Sequence, residues 1–159
     1  KPIFKSTLEQ IVRQYVLHTE AVRRPECAET PILAGKRILL VEDNLINQEI
    51  VKELLEQTGA AVDAAYNGRE GADRYVSMED GYYDLILMDI QMPVMNGYEA
   101  TRLIRGMNRR DAGSIPIFAM TADAFAEDIA MARQAGMDRH LSKPIDAVSL
   151  MQEITRVLI

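Results

Sequence analysis

The sequence has a single cysteine, Cys27, so no disulfide can form within the chain, and a reducing compartment is expected. Basic charge is not in excess: 18 Lys and Arg stand against 24 Asp and Glu, a net charge of -6. No basic run interleaved with aromatics occurs, which argues against nucleic acid as a direct partner. Arg102, Arg105, Arg109 and Arg110 are the nearest thing to a basic patch, and they read as a solvated helix end and loop. Long apolar runs are also missing. Nothing approaches membrane-spanning length, and a signal peptide is not expected. The sequence starts at Lys1 without a Met, and the expectation is a fragment of a larger protein.

What is present is a chain of 159 residues, 48% of them hydrophobic, enough for one good core with a little left over. Ser6 to Leu17 reads as an amphipathic helix with Leu8, Ile11, Val12, Tyr15 and Val16 on its apolar stripe. Glu20 to Gly35, with Pro25, Pro31 and several charges, reads as a linker. From there strands and helices alternate. Strands are expected at Arg37 to Val41, Ala61 to Ala65, Leu85 to Asp89, Ile117 to Met120 and Arg139 to Ser142. The first helix carries Ile46, Ile50, Val51, Leu54 and Leu55 and is ended by Gly59. Later helices run from Gly68 to about Ser77, Tyr98 to Arg105, Ala124 to Ala135 with Gly136 as cap, and Ile145 to Leu158. Five strands alternating with five helices imply a parallel α/β sheet with right-handed crossovers.

The polar residues at the strand ends then converge. Leu85 to Met88 has no polar alternation, as a central strand covered on both faces requires, and it ends in Asp89. Glu42 and Asp43 follow the first strand, Thr121 ends the fourth and Lys143 follows the fifth. In a parallel sheet all these ends open on one edge, where ligands bind. Three carboxylates gathered there repel one another unless a cation offsets them, and hard oxygen ligands suit Mg²⁺. Asp89 can then act as a carboxylate nucleophile toward a phosphoryl group whose charge the metal and Lys143 offset. Each piece has a plainer reading alone. Glu42-Asp43 could be an acidic helix start, Thr121 an N-cap, and Lys143-Pro144 the opening of a helix. The methionines, including Met88, Met92, Met95 and Met120, read as core filler, and Tyr82 and Tyr83 as packing ahead of the third strand.

Glu42-Asp43-Asn44, Met88-Asp89-Ile90-Gln91-Met92-Pro93, Met120-Thr121-Ala122 and Ser142-Lys143-Pro144 together resemble a response-regulator receiver domain. Their order and spacing are most similar to the receivers of hybrid sensor histidine kinases. The resemblance covers Lys36 to Ile159 and implies a flavodoxin-like doubly wound sheet of strand order 2-1-3-4-5. It implies that Asp89 accepts a phosphoryl group from phosphohistidine, that Asp43 ligates Mg²⁺ directly and Glu42 through water, and that Gln91 offers its backbone carbonyl. Thr121 would hydrogen-bond the phosphoryl group and Lys143 pair with it. His140 falls where the family usually has an aromatic switch residue, and Asn96 where many relatives have Asp.

The implied partners are the catalytic and dimerisation domains of a histidine kinase or a histidine phosphotransfer domain, and the implied location is cytoplasmic. No separate output domain is expected after the last helix. Two rivals follow from the same residues: a degenerate receiver acting as a phosphate-independent interaction module, and an aspartyl phosphohydrolase. Such hydrolases place a second acid two residues after the nucleophile, where this chain has Gln91. Finally, Lys1-Pro2-Ile3 and its following apolar residues run in step with Lys143-Pro144-Ile145 and theirs. Residues 1–35 are therefore expected to be the tail of an upstream receiver-like domain, with residues 36–159 the receiver and a homodimer possible through the N-terminal helix.

Overall fold

The computed structural model describes residues 31–122 and 125–159. The N-terminal helix over Ser6 to Leu17, its match to the C-terminal segment and any dimer built on it lie outside the described residues. The elements are β1 (Arg37–Val41), α1 (Leu45–Glu56), β2 (Ala61–Ala65), α2 (Gly68–Ser77) and β3 (Leu85–Asp89). They continue with α3 (Gly97–Arg105), β4 (Ile117–Thr121), α4 (Ala126–Ala135), β5 (Arg139–Ser142) and α5 (Ala147–Leu158).

All strand pairs are parallel, in the order β2-β1-β3-β4-β5. The sequence explains this order. β3 and β4 are buried at every position and β1 at all but its first, whereas β2 and β5 carry polar and exposed residues. The strands that lack polar alternation are the ones covered on both faces by helices.

The period of two divides each apolar run between two cores. Leu39, Val41, Ile86, Met88, Ile117 and Ala119 face one side with Tyr75 of α2 and Ile104 of α3. Ile38, Leu40, Leu85, Leu87, Phe118 and Met120 face the other with Val51 and Leu55 of α1 and Leu150 and Ile154 of α5. Leu33 joins this second core, and its N–H donates to the Thr58 carbonyl at 2.9 Å, so the turn before β1 is packed down. Tyr83 is buried ahead of β3, edge-on to Tyr82 at 4.9 Å, with its hydroxyl donating to Asp63 at 2.8 Å.

Several expectations need correction. Ile46 is half-exposed, and the buried residues of α1 are Gln48, Val51 and Leu55. Gly59 does adopt a left-handed φ of 89°, but α1 is already capped by Gln57. α4 starts at Ala126 and α5 at Ala147, the latter because the Asp146 side chain accepts from Ser149 N at 2.9 Å and so caps the helix. The arginines are not all solvated. Arg109 is only 10% exposed and Arg105 17%. Arg105 donates to the Ala112, Ile115 and Gly136 carbonyls at 2.8, 2.8 and 2.9 Å, and pairs with Asp138 at 2.9 Å. Among the described residues no helix is long and apolar enough to cross a membrane.

Candidate functional site

Register brings the acids together. Leu40 pairs with Leu87 and Val41 with Met88, so Glu42 continues β1 beside Asp89 of β3. The alternation that sends Ile38, Leu40, Leu85 and Leu87 toward α1 and α5 sends Glu42 and Asp89 the same way. Both carboxylates are almost fully buried, Glu42 1% and Asp89 4% exposed. Lys143, leading from β5 toward α5, reaches Glu42 at 2.7 Å and Asp89 at 3.0 Å.

Asp43 is exposed at the mouth, and one carboxylate oxygen each of Glu42, Asp43 and Asp89 lie within 4.8 Å of one another. Asn44 next to them accepts from Ile46 N at 3.0 Å and Asn47 N at 3.1 Å through its side chain, so α1 begins directly behind the acids. The positive end of that helix faces the negative cluster. Burial, reinforced by the charge of Glu42, pushes Asp89 up to about 6, and the opposing hydrogen bond and charge of Lys143 only partly offset this. Burial pushes Lys143 down, but its hydrogen bonds to Glu42 and Asp89 outweigh that and hold it above its ordinary value. A compact set of hard oxygen donors around partly uncompensated negative charge fits Mg²⁺ better than a soft-ligand metal.

The remaining residues singled out in the sequence fall as follows. Thr121 is buried at the end of β4, opposite Ser142, and its carbonyl accepts from Lys143 N at 2.7 Å. Gln91 is exposed just past β3, and its N–H donates to Asp89 Oδ1 at 3.3 Å. His140 is exposed on β5 and lines a cavity of about 390 Å³ with Ile129, Arg133, Ile145 and Glu153, not the acidic cluster. Asn96 caps α3 in a box with Glu99, at 2.9 and 3.1 Å. Between Gln91 and Asn96 the backbone makes a three-residue γ-turn: Met95 N donates to Pro93 O at 2.8 Å while Val94 holds a φ of 69°.

One residue went unread in the sequence. Gln48 lies in step with Val51 and Leu55, at a stripe position where an apolar side chain belongs, and that mismatch was the available signal.

The family described as response regulator receiver domain matches residues 38–155. The chain belongs to this family. The receiver is 38% identical over 121 residues to the hybrid signal transduction histidine kinase I of Dictyostelium discoideum, a match that covers 75% of this chain and 7% of that protein. It thus spans only a small part of that relative. Among solved structures it resembles the receiver domain of a sensor histidine kinase from Pseudomonas aeruginosa, which has a magnesium ion coordinated in the active site cleft. That likeness is 38% identical with a TM-score of 0.69, covering 79% of this chain and 98% of the other. It also resembles the Saccharomyces cerevisiae receiver domain of Ssk1, co-crystallised with the histidine phosphotransfer protein Ypd1. The identity there is 31% and the TM-score 0.72, over 79% of this chain and 90% of the other.

Proposed function

We propose that Asp89 is the phosphoacceptor of this receiver and takes its phosphoryl group from a phosphohistidine. The observation that carries this reading is the placement of Asp89: a buried carboxylate on a strand end, bridged to Glu42 by the ammonium of Lys143. In the step, an Asp89 oxygen forms a bond to phosphorus as the phosphorus–nitrogen bond breaks, and the nitrogen keeps the electron pair. Lys143 stays on the same edge to pair with the charge that arrives. Thr121 donates its hydroxyl to the phosphoryl group, and the strand end carrying it shifts with Lys143, biasing the face formed by β4, β5 and the segments after them. His140, exposed on that face, reports the shift as the switch residue.

Glu42, Asp43, Asp89 and the Gln91 carbonyl would hold Mg²⁺, Asp43 directly and Glu42 through water. The metal would supply charge neutralisation on the phosphoryl oxygens in transfer.

The donor is a histidine phosphotransfer domain or the histidine-bearing domain of a kinase, and the receiver serves as one cytoplasmic module of a hybrid histidine kinase. The part of residues 1–35 that lies outside the described residues is assigned to the end of a preceding receiver-like domain in that chain, where a second copy can meet it, whereas Leu33 already packs into the receiver core. Leu45, Ile46, Tyr66, Val94 and Phe125 stand exposed in the segments after β1 to β4, on the sheet edge that carries the acidic cluster. A donor that reaches Asp89 approaches over this partly apolar edge.

Intact-mass spectrometry after incubation with acetyl phosphate tests the reading, with and without Mg²⁺, on wild type and Asp89→Asn. The expected result is one phosphoryl adduct that requires Mg²⁺ and is lost in Asp89→Asn. An adduct that survives in the variant would place the acceptor elsewhere.

A further inference from the structure

Gln48 is 4% exposed and polar on the buried face of α1, and its side chain answers two carbonyls at once. Nε2 donates to Glu42 O at 3.1 Å and to Ala65 O at 3.1 Å, one for each N–H of the amide. These carbonyls sit at the C-terminal ends of β1 and β2, where the ladder between the two strands runs out. Glu42 N also donates to Ala65 O, at 3.1 Å. The main-chain N–H of Gln48 donates to Asn44 O at 2.9 Å. One residue of α1 therefore grips both ends of the three-residue segment Glu42-Asp43-Asn44.

That segment holds two of the three clustered carboxylates. Glu42 is fixed at its N–H by Ala65, at its carbonyl by Gln48 and at its carboxylate by Lys143. We infer that Gln48 is a positioning residue for the cation site: its amide sets the orientation of the Glu42-Asp43 pair, and losing it weakens Mg²⁺ binding without removing a ligand. The inference rests on the proposed function above. An apolar side chain of the same length would fill the same space, leave the Glu42 carbonyl without its donor and the Ala65 carbonyl with Glu42 N alone, and free the segment to turn. Groups that orient ligands in this way change metal affinity by about 10-fold to 100-fold when removed.

The test compares Gln48→Met with Val51→Ala, which loosens the same buried face of α1 without touching the segment. Mg²⁺ affinity is measured by titration calorimetry on folded protein, and amide hydrogen exchange is read without added metal at Glu42, whose N–H is bonded to Ala65 O. Gln48→Met is expected to bind Mg²⁺ about 10-fold more weakly and to exchange faster at this amide, while Val51→Ala matches wild type in both. Equal Mg²⁺ affinity in the two variants would overturn the inference and leave the proposed function standing. A wild type that takes up no Mg²⁺ would overturn both. If Gln48→Met does not fold, Gln48→Asn, whose amide falls one methylene short, is put through the same comparison with the same outcomes.

Discussion

Asp89 and Asp111 are the same residue type at opposite edges of one sheet, and their surroundings push them in opposite directions. Asp89, at the C-terminal edge, lies beside a second buried carboxylate, and burial with that repulsion lifts it to about 6. Asp111, in the loop ahead of β4, is held at about 2: burial pushes it up, but the Arg109 guanidinium and the Gly81 N–H outweigh that. It accepts from Gly81 N at 2.8 Å and from Arg109 at 3.1 and 3.2 Å. Arg109 in turn donates to the carbonyls of Met78 and Glu79 at 2.7 and 2.9 Å and lies 4.5 Å over the Tyr75 ring. At that edge charge meets opposite charge, and each guanidinium nitrogen of Arg109 donates to a carboxylate or a carbonyl. At the other, three carboxylates cluster and one ammonium pairs with two of them, Glu42 and Asp89. The balanced cluster ties the loops ahead of β3 and β4 to each other, and the unbalanced edge is the one whose charge leaves room for a cation.

Replacing Arg109 should have the largest effect. Arg109→Ala leaves Asp111 buried without its counter-charge and two carbonyls without donors, and should lower unfolding free energy by about 4 kcal/mol in urea titration. Arg109→Lys should recover less than half of that, because one ammonium cannot span the same acceptors. Full recovery by lysine would mean that charge alone, and not the guanidinium fork, does the holding.

Asp89→Asn should go the other way and stabilise the metal-free protein by about 3 kcal/mol at pH 7. Asp89 binds its proton more tightly folded than unfolded, so wild-type stability falls as pH rises from about 4 to about 6. The gain should be full at pH 7 and gone near pH 4, and unfolding curves in chelator at both values check it. A variant less stable than wild type at pH 7 would show that Lys143 compensates the site completely.

Asp111→Asn should mirror this with the opposite sign and a somewhat smaller size. Asp111 releases its proton more readily when folded, so its contribution is present above about 4 and fades as pH falls toward about 2. The variant should lose about 2 kcal/mol at neutral pH and little near pH 2. The smallest effect belongs to Val94, a β-branched side chain at a φ of 69°. Val94→Gly should be more stable than wild type by less than about 1 kcal/mol, because relief of strain exceeds the entropy glycine adds to the unfolded chain. A clear loss of stability in thermal unfolding would mean the γ-turn is held without strain.

The comparison also explains what could be read in the sequence. The acidic edge was legible because strand ends in a parallel sheet share an edge whatever the loops do, so Glu42, Asp43, Asp89, Thr121 and Lys143 could be placed by counting alone. The central strands announced themselves by lacking polar alternation. The opposite edge was not legible. Arg109 finds its carbonyl partners about 30 residues away in sequence, and no local pattern distinguishes a guanidinium that will be buried from one that will be solvated. Gln48 was hidden for a related reason, since its acceptors are backbone carbonyls, which every residue has. Helix starts were displaced where a side chain such as Asp146 captured the first turn, an effect worth only about 1 kcal/mol and easily outweighed in a periodicity count.

Gly97 stands at the first position of α3, and a β-carbon placed there would run into the main-chain carbonyl of Asp89. The helix thus begins in direct backbone contact with the residue at the centre of the site, with no side chain between them. In evolutionary terms this makes position 97 a one-letter alphabet. Any other amino acid there must displace either the start of the helix or the end of β3, so drift at this position is paid in the geometry of Asp89 before it is felt anywhere else.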